Sequence, residues 1–77
     1  MNTYTAEINQ AKAEFYELII RIWDADGETE IDQHIAPLSG KEKEELESGG
    51  PLQADCFAPS GWSFTSHSTL EGEAVRE

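Results

Sequence analysis

The chain has 77 residues, 16 of them acidic and five basic, for a net charge of −11. That length holds one domain, with a core too small to spare stability for a deep, strained catalytic cleft. An excess of negative charge on this scale excludes direct binding to nucleic acid or an anionic membrane, both polyanions, and favours a basic protein surface or a cation.

In chain order, the first predicted element is a short helix over Thr5 to Ala13. Phe15 to Ala36 allows two readings. Ile8, Ala11, Phe15, Leu18, Ile19 and Ile22 make a helical stripe if one long helix runs through. Alternatively, Asp26-Gly27 is a two-residue hairpin turn. That turn sets Ile22 opposite Ile31, Leu18 opposite Ile35 and Arg21 opposite Asp32, and the β-branched and aromatic content favours it. Ser39 with Glu42 matches a capping box, opening a short polar helix over Lys41 to Glu47 whose one clearly apolar residue is Leu46. Gly49-Gly50 can end it. Leu52 to Thr69 reads as a second hairpin closed by Pro59-Ser60-Gly61, with Ala58 facing Trp62, Cys56 facing Phe64 and Ala54 facing Ser66. Residues 70–77 read as a loose tail anchored by Val75. The expected fold is therefore α+β: one small domain over 1–77, with a small antiparallel sheet built from two hairpins, a short N-terminal helix and a short polar middle helix.

The charge is uneven. Residues 24–36 carry −5 with no Lys or Arg among them. Asp24, Asp26, Glu28, Glu30 and Asp32 fall at every second position. On a strand, residues two apart share a face and lie roughly 6.5–7 Å apart. Glu28, Glu30 and Asp32 would then form a row of carboxylates, with Asp24 and Asp26 extending the field around the turn. Such a row can occupy a site built for regularly spaced phosphates. As plain structure, the same row protects the edge of a hairpin from pairing. Trp23 falls on the polar face, opposite Glu30. An exposed Trp beside charges is a common interface anchor. The expected partner-binding residues are Trp23, Asp24, Asp26, Glu28, Glu30 and Asp32.

No catalytic, cofactor or metal site is read. Aligning Gly27 with the invariant glycine of a calcium loop puts Ile22 and Gln33 at the two essential ligand ends. Cys56, His34 and His67 lack the paired, close spacing of zinc ligands. A Cys56–His67 nucleophilic pair has no third group to orient it. The lone cysteine rules out an internal disulfide. The longest apolar run, Leu18-Ile19-Ile20, is far too short to span a membrane. No signal peptide is read, so the expected setting is the cytoplasm of a host cell.

In size, charge and lack of catalytic motifs and export signals, the chain resembles the small acidic inhibitors encoded by phages and mobile elements. Anti-CRISPR proteins and the inhibitors of uracil-DNA glycosylase are examples. The resemblance implies a non-catalytic inhibitor, monomeric or weakly dimeric, that blocks a nucleic-acid-binding protein by imitating its substrate. The alternative is a small regulatory or structural interaction subunit with an apolar interface around Trp62 and Phe64, whose acidity serves only solubility.

Overall fold

A computed structural model describes residues 1–49, 54–64 and 70–77. Five strands dominate: β1 (Asn2–Lys12), β2 (Phe15–Trp23), β3 (Glu30–Leu38), β4 (Trp62–Phe64) and β5 (Glu71–Arg76). One α-helix, α1 (Gly40–Ser48), and a 3-10 helix (Ala54–Phe57) lie between β3 and β4. The strands form a single antiparallel sheet in the order β3-β2-β1-β5-β4, curled into a half-barrel.

This corrects the expected α+β arrangement at three places. The N-terminal helix over Thr5 to Ala13 is instead β1, a strand flanked by β2 and β5. Its alternation explains why. Tyr4, Ala6 and Ile8 point into the core, while Thr3, Thr5, Glu7 and Asn9 point out. Burying every second side chain between two neighbours outweighs the helix preference of Ala, Glu, Gln and Lys. The second hairpin does not form as expected either. Ala54–Phe57 is a 3-10 turn, and β4 pairs with β5. The proposed Ala54–Ser66 pair reaches residues outside those described. Finally, the segment read as a loose tail supplies β5, which joins β1 to β4.

The first hairpin is present with an altered register. Trp23 pairs with Glu30, as a two-residue turn would set it, but a β-bulge follows and Ile22 pairs with Asp32. Leu18 then faces Ala36 and not Ile35, and Arg21 faces Gln33 and not Asp32. A one-residue slip turns every later side chain to the opposite face. Ala36 and Leu38 are accordingly buried, and Ile31 and Ile35 are exposed.

The concave face of the curl holds the core. Leu18, Ile20 and Ile22 of β2 are fully enclosed, and each is worth roughly 1.5–3 kcal/mol of burial. Tyr4 of β1 and Phe64 of β4 stack with ring centroids 3.8 Å apart, although β5 runs between their strands. The β5 residue opposite Tyr4 is Gly72, whose missing side chain leaves the rings room to meet. Burial, then the nearby carboxylates of Asp55 and Glu71, push the Tyr4 phenol above its ordinary range. Leu46 of α1 closes the core from the open side. The capping box forms as its spacing predicts: Ser39 Oγ accepts from the Glu42 amide at 3.2 Å, and Glu42 Oε1 accepts from the Ser39 amide at 2.9 Å. Gly49 ends the helix with φ 71°.

One contact joins the two edges of the sheet. Trp62, on edge strand β4, donates its indole N–H to Asp32 on edge strand β3 at 3.2 Å. Arg76 covers the same indole, its guanidinium carbon 4.6 Å from the ring centroid. Trp62 and Phe64 are both buried, so neither can anchor a surface interface as the alternative reading required.

Candidate functional site

The bulge decides what becomes of the acidic row. β3 begins at Glu30, so Glu28 stays in the loop. Glu30 points to the convex face, and Asp32, beyond the bulge, points to the concave one. The three carboxylates therefore form no continuous row.

Several of these acids also have structural work. Asp26 Oδ1 accepts from the amides of Glu28 at 2.8 Å and Thr29 at 3.0 Å, and its Oδ2 accepts from the Thr29 hydroxyl at 2.8 Å. Those bonds, the Glu28 amide first, hold its carboxyl below the ordinary carboxylate range. Asp24 Oδ1 accepts from the Ala25 amide, and the Asp24 amide closes the loop onto the Thr29 carbonyl at 2.8 Å. Gly27, with φ 74°, supplies the left-handed position this loop needs. Of the five expected acids, Glu28 alone makes no side-chain hydrogen bond or ion pair among the described residues.

The convex face gathers a different set of acids. Glu7 of β1, Glu17 of β2, Glu30 of β3, and Glu71 and Glu73 of β5 share it with Arg21, and Lys12 joins the same face beyond the β1 bulge, at the far end from β5. Arg21 is held from both sides: Nη1 lies 3.0 Å from Glu7 Oε1, and Nε lies 3.2 Å from Glu30 Oε1. The triad spans three strands and keeps a net charge of −1. Asn9 donates to Glu17 at 2.9 Å. Glu71 and Glu73 have no ion pair among the described residues.

Trp23 lies within this set. Its indole N–H donates to Thr5 Oγ1 on β1 at 3.0 Å, which lays the half-buried ring across the neighbouring strand. Thr5 pairs with Glu71 and Thr3 with Glu73, so the ring has β5 carboxylates on one side and Glu30 on the other. The exposed Ile35 pairs with Ile19 farther along the same face.

Glu7, Glu71 and Glu73 are not among the residues that the sequence singles out. Their signal is a period of two: Thr3, Thr5, Glu7, Asn9 in one run and Glu71, Glu73, Val75 in the other. It becomes readable only when both runs are taken as strands. Cys56, expected to face Phe64 in the core, is exposed, its Sγ 3.8 Å from Asp55 Oδ1. His34 is exposed on β3, and His67 lies outside the described residues. Among the described residues no group of three or more His, Cys, Asp or Glu side chains is placed to hold a metal ion. No described helix is long and apolar enough to cross a membrane. Comparison with known protein families, curated proteins and solved structures finds no match for the chain.

Proposed function

We propose that this chain is a non-catalytic inhibitor that occupies a basic nucleic-acid-binding site on another protein. An anti-CRISPR or other anti-defence role fits that reading. The observation that carries it is the convex face: five carboxylates spread over four strands, against Arg21, which is already held from both sides, and Lys12 at the far end. Neighbouring strands lie about 4.8 Å apart, and outward residues along a strand about 6.5–7 Å apart. Negative charge is thus gathered over one sheet face, as it is along a phosphate backbone. A field of this kind steers a basic partner from a distance and repels nucleic acid competing for the same site. No bond is made or broken; inhibition is occupancy.

The test begins with capture of partners from a bacterial lysate on immobilised protein at low salt. The recovered protein should bind nucleic acid, and duplex DNA or structured RNA should displace it. Its affinity should fall steeply as salt rises, because exposed charges are screened over about 8–10 Å. A partner that stays bound through high salt and ignores added nucleic acid would sink the reading and favour an apolar interface.

A further inference from the structure

The two tryptophans of this chain are used differently. Trp62 is buried, with Arg76 over its ring and Asp32 at its N–H. Trp23 has a hydroxyl at its N–H and carboxylates on both flanks, but no cation lies over its ring among the described residues. The arrangement around Trp62 shows what the surroundings of Trp23 lack. No described element packs on this sheet face, since α1 and the 3-10 helix both lie on the concave side.

We infer that the convex face docks an arginine-bearing protein segment, with a guanidinium laid on Trp23 and bonded at its edge by Glu71 and Glu73. The inference rests on the proposed binding to a basic partner and adds which face binds and which basic residue is read. Arginine is the fitting cation for a stated reason. Its flat, weakly hydrated group can stack on an indole while its N–H edge donates to carboxylates, which a compact ammonium cannot do at once. Thr5, which accepts from the indole N–H edge, pairs directly with Glu71, so that glutamate stands on the strand next to the indole's anchor. Glu30 is not free for this role, because it holds Arg21. The Ile19–Ile35 pair gives the apolar part of the segment a place to lie. A second copy of the chain does not suit the face, because each copy would bring like charge to it.

The experiment titrates the whole chain with hexaarginine and, separately, hexalysine at low ionic strength, followed by amide and indole NMR shifts. Hexaarginine should move Thr3, Thr5, Glu71, Glu73 and the Trp23 indole while the Trp62 indole stays in place. It should bind about fivefold or more tightly than hexalysine, and Trp23→Leu should erase that preference. Should Trp23→Leu misfold, the double change Glu71→Gln and Glu73→Gln, which leaves the core untouched, should weaken hexaarginine binding by a similar factor. Shifts centred on Asp24 to Glu28 or on α1 would overturn the inference and leave the charge-based function standing. Equal affinity for the two peptides would also overturn it. No binding of either peptide at low salt would take down the proposed function as well.

Discussion

The concave and convex faces of this sheet are made by alternate residues of the same strands, yet they obey different rules. Ile20 is wholly enclosed, whereas Ile19, its neighbour in sequence, is half-buried beside an exposed Ile35. The enclosed inward positions are apolar and packed on one another. Outward positions are mostly polar or charged, and Arg21 among them is held by two carboxylates. Stability therefore resides on one face, and the proposed partner binding is assigned to the other. Substitutions should separate the two.

The largest effect expected is in the core. Ile20→Ala should lose about 2–5 kcal/mol in a urea melt, a large part of the stability of so small a domain. Ile35→Ala, on the convex face, should change it by roughly 0.5 kcal/mol or less. Similar losses from both would mean that the outer face is also covered.

Next is the contact that joins the sheet edges. Trp62→Phe keeps most of the packed ring but removes the N–H that reaches Asp32. It should cost about 1–2 kcal/mol. Unchanged stability would show that packing alone holds the curl.

A smaller effect belongs to the β2–β3 loop. The Asp26 carboxyl is held below its ordinary value of 3.8 by bonds that only the folded loop provides. Such a group stabilises the fold above its unfolded value, and that contribution disappears as pH falls through its folded value. The native chain should therefore exceed Asp26→Asn in stability near neutrality and lose that margin below about pH 4. Parallel urea melts from pH 6 to pH 2 measure it. A constant margin across that range would contradict the role given to the carboxylate.

These comparisons also mark how far the sequence could be read. The Asp26-Gly27 turn, the Trp23–Glu30 pairing and the Ser39–Glu42 cap are local: each depends on residues within a few positions or across one turn. The bulge at Ile31 is not local. Both registers of β3 place some polar residues inward, and what favours the observed one is Asp32 meeting Trp62, 30 residues away. β1 reads as a helix for a similar reason. Ala6, Glu7, Gln10 and Lys12 favour a helix until β5 arrives from the far end of the chain to make β1 an inner strand. The candidate face is hidden for the same reason, because three of its five carboxylates lie on β1 and β5.

In the proposed function the charge of one sheet face, and not total charge, binds the partner. The most direct measurement compares association of the captured partner with two doubly neutralised variants. One carries Glu71→Gln and Glu73→Gln on the convex face, and the other carries Glu44→Gln and Glu45→Gln on α1. Both change net charge by the same amount. The strand pair should lose more affinity, much of it in a slower on-rate. Equal losses, or a larger loss from the helix pair, would contradict the proposed function.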